Sequence, residues 1–259
     1  DIFSTMVRKN SDFMVWLGGY ADLEGANTFD DIVNNYIDIR KTPYLNNFMS
    51  SMPQIATWNA FDFRSTNTIT KASMIDSSYF AFDMFWPNSL QKTYNYTYYD
   101  YGTYQRYTYN DLDIFLLDSR SFMSDDGSTL YGDKQIERLF QEINNTGATF
   151  TIIASPIPFT NVKTDDTFVN YKKQYDYFMY RLQLCENNGL ILVSGNSEEG
   201  TKLNQLDLFA YTERHKTVLS EFQISSLNDN NYSLISIKGS KGERVLSFET
   251  YNKNGNLVY

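Results

Sequence analysis

Short apolar runs alternate with segments of helical period along the first two-thirds of the sequence, and few architectures accept that order. Phe13-Met-Val-Trp-Leu17 and the stretches 53–58, 112–117, 149–154 and 190–193 read as strands. Between them, Phe29, Ile32, Val33, Tyr36 and Ile39 recur at helical spacing, as do Ile136, Leu139, Phe140 and Ile143. These predict helices over 29–40 and 133–145. Further helices are expected over 2–9, over 70–85, and over 43–49 behind a Thr42 cap with proline at the first helical position. The longest is expected over 166–187, where Phe168, Tyr171, Tyr175, Phe178, Leu182 and Cys185 share one side. Helices interleaved with buried strands predict a layered α/β domain.

The last third changes character. Stretches 206–211, 218–222, 232–237 and 245–251 read as successive strands with polar turns, closing at Lys253-Asn-Gly255. With no linker, repeat or low-complexity block, residues 1–259 read as a single domain.

Tyrosines crowd the segment 93–109, at Tyr94, Tyr96, Tyr98, Tyr104, Tyr107 and Tyr109, with a break at Gly102. This predicts an antiparallel hairpin stiffened by cross-strand aromatic pairs. Tyrosine gives large amphipathic contact area, so the hairpin is also a surface for a protein partner or, less directly, for a sugar.

Charge removes several function classes. Asp and Glu number 31 against 22 Lys and Arg, a net charge of −9. Nucleic acid demands a basic footprint, and none is present. An anionic membrane surface is disfavoured for the same reason, and no stretch approaches the ~18 apolar residues of a membrane span. The one cysteine, Cys185, can form no intramolecular disulfide and reads as a small buried hydrophobe. The chain opens at Asp1 without a basic and then apolar leader, as expected if a targeting segment has been removed or a longer protein continues upstream.

The segments 13–19, 40–62, 114–120, 148–155, 192–198 and 244–251 occur in an order that resembles the PhoD-like (alkaline phosphatase D-like) metallophosphoesterase family. Phe13-Met-Val-Trp-Leu-Gly-Gly19 is similar to that family's first metal loop, an apolar strand ending in Leu-Gly-Asp. Arg40-Lys-Thr-Pro-Tyr-Leu45 followed by Met52-Pro-Gln-Ile-Ala-Thr-Trp-Asn-Ala-Phe-Asp62 resembles the lead-in and the Trp-Asp-Asp-His-Asp segment of that family. Ile114-Phe-Leu-Leu-Asp-Ser-Arg120 resembles its central Leu-Asp-x-Arg strand. Ala148-Thr-Phe-Thr-Ile-Ile-Ala-Ser155 and Leu192-Val-Ser-Gly-Asn-Ser-Glu198 are similar to two later strands, the second normally ending Ser-Gly-Asp-x-His. Arg244-Val-Leu-Ser-Phe-Glu-Thr-Tyr251 looks like the terminal hairpin. The resemblance implies a four-layer α/β sandwich of two mixed β-sheets flanked by helices, with a C-terminal antiparallel hairpin. The site would lie at strand ends. It also implies an opening strand upstream of residue 1 and an extracytoplasmic location.

The same resemblance implies that the metal chemistry is gone. Hydrolysis of phosphate esters by this fold uses two close metal ions held by carboxylates and imidazoles. The ligand slots fall on Gly19, on Asn59, Ala60, Phe61 and Asp62, and on Asn196 and Glu198. Only Asp62 and Glu198 among them carry a charge. The single histidine, His215, sits in the charged stretch Thr212-Glu-Arg-His-Lys216 and reads as a solvated turn. Hard oxygen donors on Asp62, Glu198 and Glu199 leave a single Ca²⁺ or Mg²⁺ as the residual metal option; otherwise no cofactor is expected. Asp118 and Arg120 are expected to form a structural ion pair beside the pocket rather than a phosphate clamp.

No Gly-x-Ser-x-Gly elbow, phosphate-cradling glycine loop or Cys/His zinc spacing occurs. The expected function is therefore a non-catalytic binding or structural module on a phosphatase fold. The alternative is a phosphomonoesterase or phosphodiesterase working with an oxygen-only Ca or Mg site.

Overall fold

The computed structural model describes residues 1–63, 72–86, 102–124, 126–160, 166–186, 189–197, 201–209, 216–225 and 230–259. Its largest sheet has six strands: β3 (Gln105–Tyr109), β4 (Leu112–Leu116), β5 (Phe150–Ser155), β6 (Leu190–Ser197), β7 (Lys202–Phe209) and β8 (Lys216–Ser225). Their order is β3-β4-β5-β6-β8-β7, with β4, β5, β6 and β8 parallel and both edge strands antiparallel. Parallel strands β4 and β5 are buried on both faces, which requires cover on both sides. Buried β4, with all five of its residues inside, illustrates this.

Four layers result. On one face lie α6 (Asp133–Asn144) and α7 (Lys172–Gln183), the crossovers from β4 to β5 and from β5 to β6. Ile136, Leu139, Phe140 and Ile143 of α6 meet Phe178 and Leu182 of α7 and Phe115, Ile153 and Leu192 of the sheet. Each such side chain, fully removed from water, contributes about 1.5–3 kcal/mol. The opposite face is covered by β1 (Met14–Leu17), β2 (Gln54–Thr57), β9 (Asn231–Lys238) and β10 (Val245–Asn252). Outside these lie α1 (Ile2–Val7), α2 (Phe29–Arg40), α3 (Pro43–Ser51) and α5 (Ala72–Phe85), around Trp16, Tyr36, Phe48, Trp58, Phe82 and Trp86. The layered α/β sandwich with a C-terminal antiparallel hairpin is as expected.

Local signals account for the boundaries. Thr28 opens α2 with a reciprocal box: its hydroxyl accepts from the Asp31 amide at 3.1 Å, while the Asp31 carboxylate takes the Thr28 amide at 2.9 Å. Thr42 and Pro43 open α3, although the threonine hydroxyl makes no capping bond. The face of α6 that carries its apolar residues is the one it buries.

The structure corrects one expectation and adds detail to two others. The long helix over 166–187 is a 3₁₀ turn (Phe168–Asn170) followed by the twelve-residue α7; Tyr171, at φ −93° and ψ 59°, separates them. Periodicity persisted across the break because Phe168, Phe178 and Leu182 all reach the same core. Second, within the described part of the tyrosine-rich segment, β3 forms a hairpin with β4 through Asn110 and Asp111. Residues 93–101 lie outside the described residues. Third, among the described residues the second strand layer comprises two pieces, parallel β1-β2 and antiparallel β9-β10.

Candidate functional site

Strand β1 ends at Leu17 and turns through Gly18 and Gly19, both left-handed at φ 82° and 71°. A Cβ on Gly18 would stand 2.6 Å from Cβ of Asn59, and one on Gly19 would stand 3.2 Å from the Asn59 side-chain nitrogen. The close approach therefore demands glycine at 18 and strongly favours it at 19. Strand β2 ends beside it, anchored to the six-stranded sheet by the Thr57 hydroxyl donating to Leu117 O at 2.8 Å. Trp58 and Asn59 lead into a single helical turn, α4 (Ala60–Phe63).

Asp62 ties these two loops together. Oδ2 accepts the amides of Gly19 at 2.6 Å and Asn59 at 3.1 Å, and Oδ1 accepts that of Ala21 at 2.9 Å. The carboxylate is 1% exposed. Burial pushes its pKa up to about 6, while the amides of Ala21, Asn59, Gly19 and Tyr20 pull the other way. Asn59 is committed as well, its side-chain oxygen accepting from the Phe61 amide at 2.9 Å.

From the six-stranded sheet, β6 contributes Gly195 and Asn196 at a register shift between Ser194 and Ser197. Asn196 is left-handed, φ 55°, as a bulge residue can be. A Cβ on Gly195 would lie 3.1 Å from Cβ of Leu17, so the ends of β6 and β1 touch. Gly19, Asn59, Phe61 and Asn196 all line one cavity of about 660 Å³ between the two strand layers. Asp62 is absent from that lining, and Ala60 is half-buried beside it. Phe61 is exposed. Glu198, Glu199 and His215 lie outside the described residues.

Among the described residues, the side chains at the expected slots do not fit a pair of metal ions. Gly19 offers no donor, Phe61 and Ala60 are apolar, and the oxygens of Asp62 already hold backbone amides. Among the described residues, no group of three or more His, Cys, Asp or Glu side chains could hold a metal ion.

Asp118 and Arg120 follow β4 but do not line the cavity. Nor do their side chains pair with each other, a correction to the expected ion pair. Asp118 accepts the amides of Thr103 at 2.7 Å, Arg120 at 2.8 Å and Ser121 at 2.9 Å, and the Ser121 hydroxyl at 2.6 Å. The Arg120 guanidinium instead pairs with Asp166.

Sequence reasoning missed a second buried carboxylate, Glu221 of β8. It accepts from the Phe159 amide at 2.8 Å and the hydroxyl of Ser194 at 2.7 Å, as well as from the Thr160 hydroxyl. The signal was present: Glu221 stands two residues from Leu219 in a strand, so the acid shares the face that Leu219 buries in the α6/α7 core. Cys185 is half-buried against that core, where burial pushes its thiol up to about 11. No helix among the described residues is long and apolar enough to cross a membrane.

No protein-family model matches the sequence, and no curated protein matches it. Solved structures do. A structure of PhoD superposes with a TM-score of 0.71 at 15% identity, over 100% of this chain and 68% of that one. Purple acid phosphatase PPD1 from yellow lupin (Lupinus luteus) seeds superposes with a TM-score of 0.59 at 9% identity, over 99% of this chain and 47% of that one. Together with the layered sandwich and the strand-end loops, these likenesses show the fold: the chain shares its layered α/β architecture with PhoD and with this purple acid phosphatase.

Proposed function

We propose that this domain is a non-catalytic member of the phosphatase fold, retained as a binding or structural module of an extracytoplasmic protein or assembly. One observation carries the reading: the acid that survives at the strand ends, Asp62, spends its oxygens on the amides of Gly19, Ala21 and Asn59. A loop held that way needs no cation to keep its shape. The side chains at the neighbouring slots Gly19, Ala60 and Phe61 supply neither charge nor lone pairs, and losing several ligands together weakens binding of a metal pair by orders of magnitude. Without cations, a chain of net charge −9 repels a phosphate ester rather than attracting it.

The tyrosine-rich segment 93–109 is the partner surface this reading favours. Within its described part, the Tyr104 hydroxyl is spent on Glu142 at 2.8 Å, whereas Tyr109 is 44% exposed. The extracytoplasmic placement rests on the family resemblance. The test is hydrolysis of bis-p-nitrophenyl phosphate with Ca²⁺, Mg²⁺, Mn²⁺, Fe²⁺ or Zn²⁺ supplied in turn. No turnover above buffer is expected with any of them. Turnover with Ca²⁺ or Mg²⁺ would replace this reading with an oxygen-ligated phosphoesterase.

A further inference from the structure

Glu221 is fully buried, and its hydrogen-bond partners among the described residues are all neutral. Oε1 accepts the Phe159 amide at 2.8 Å and the Ser194 hydroxyl at 2.7 Å. Oε2 accepts the Thr160 hydroxyl and, at 3.1 Å, the side-chain amide of Gln223. A carboxylate in an apolar interior costs more than an aliphatic side chain such as Leu219, two residues earlier on the same face. What the acid contributes therefore lies in the groups it holds in place.

Those groups converge on one irregularity. Ser194 pairs with Gln223 and Ser197 with Ser225, so three steps of β6 are matched by two of β8. The extra residue makes a bulge that carries Gly195 and left-handed Asn196. Phe159 and Thr160 end the segment that follows β5. At its start, the carbonyl oxygen of Pro156 lies 3.1 Å from where a Cβ on Gly195 would stand. In its middle, the carbonyl of Pro158 accepts the Phe168 amide at 2.9 Å and the Thr167 hydroxyl at 3.1 Å. Glu221 thus grips the bulge twice, through Ser194 at its base and through segment 156–160 packed against it.

We propose that Glu221 is a positioning residue for the strand-end cavity, locking the β6 bulge so that Asn196 keeps its left-handed backbone beside Gly19 and Asn59. It acts from the α6/α7 face of the six-stranded sheet and does not itself line the cavity. Left-handed backbone is unfavourable for a residue with a Cβ, even for asparagine, so a released bulge relaxes towards extended geometry. This holds whether or not the domain hydrolyses esters.

The test reads the Cα and Cβ chemical shifts of Asn196 by nuclear magnetic resonance, because these report backbone conformation. Glu221→Gln keeps the size of the side chain but exchanges one accepting oxygen for a donor. Ser194→Ala and Thr160→Val each delete one hydroxyl and spare the acid. Thr57→Val is the control, removing a buried hydroxyl that serves the end of β2 instead. In Glu221→Gln and in the two hydroxyl variants, both Asn196 shifts are expected to leave the left-handed range; in Thr57→Val they stay at parental values. The proposal is overturned if Glu221→Gln folds with parental Asn196 shifts. It is equally overturned if Glu221→Gln does not fold and both hydroxyl variants keep those shifts, or if Thr57→Val moves them as far.

Discussion

The amide of Gly19 donates to Oδ2 of Asp62 across 2.6 Å, closing the loop after β1 onto the turn after β2. In this chain the acid at that strand end is a structural brace. Its removal leaves the amides of Gly19, Ala21 and Asn59 buried without an acceptor, at a cost of about 1–3 kcal/mol for each group left unpaired. Asp62→Ala should therefore lose roughly 3 kcal/mol or more, read from urea unfolding at pH 7. A loss under about 1 kcal/mol would show that these bonds are replaceable by water.

The same carboxyl predicts a pH signature. Its folded pKa, about 6, lies above the unfolded value, so the folded state holds the extra proton between the two. The associated stabilisation is complete below about pH 4 and is lost as pH rises through about 6. Relative to Asp62→Asn, which cannot titrate, the wild-type chain should be more stable at pH 4 than at pH 7. Urea midpoints for both proteins across that range provide the check, and a constant difference would contradict it.

Two glycines separate backbone strain from collision. Gly102 has φ 56°, and a Cβ there would fall 2.1 Å from Oδ2 of Asp118; Gly127 has φ 67° with nothing within 4 Å. Gly127→Ala should cost only the conformational penalty of about 1–2 kcal/mol. Gly102→Ala should cost more, because the Asp118 network must shift as well. Thermal melts of the two variants decide this, and equal losses would contradict it.

Arg120 has a nearly buried side chain, 2% exposed, and its ionic partner is Asp166. Asp166→Ala strands that cation and should cost about 3–5 kcal/mol, whereas Arg120→Met combined with Asp166→Ala should recover part of the loss. A double-mutant cycle by chemical denaturation measures the coupling. Additive losses would mean that the pair contributes nothing.

Introducing ligands tests the proposed placement of the vestigial site. The quadruple variant Gly19→Asp, Ala60→Asp, Phe61→His, Glu198→His is expected to take up more metal than the parent. Gly19→Asp alone should be less stable by about 1–2 kcal/mol, given the left-handed backbone and the Asn59 side chain 3.2 Å away. A folded quadruple variant with unchanged metal uptake would show that the slots were wrongly placed.

Much of the fold was legible in the sequence because burial leaves a period. The stripe Ile136, Leu139, Phe140, Ile143 and the apolar run of β4 each announced their element, and their order announced the layers. What stayed illegible depends on partners distant in sequence. Nothing local says that Asp62 holds an amide 43 residues earlier, or that Arg120 turns to Asp166. Tyr171 breaks a helix whose periodic residues continue on both sides because the core behind them is continuous. The split of the second sheet was hidden for a related reason: a strand's residues show which faces are covered, not whether both edges are paired.

The most direct measurement is metal content of the purified chain by inductively coupled plasma mass spectrometry, after dialysis against each of Ca²⁺, Mg²⁺, Mn²⁺, Fe²⁺ and Zn²⁺. Substoichiometric metal is predicted in every case, since Gly19, Ala60 and Phe61 offer nothing to bind and Asp62 is spent on backbone. Two equivalents retained per chain, lost on Asp62→Ala, would contradict the account.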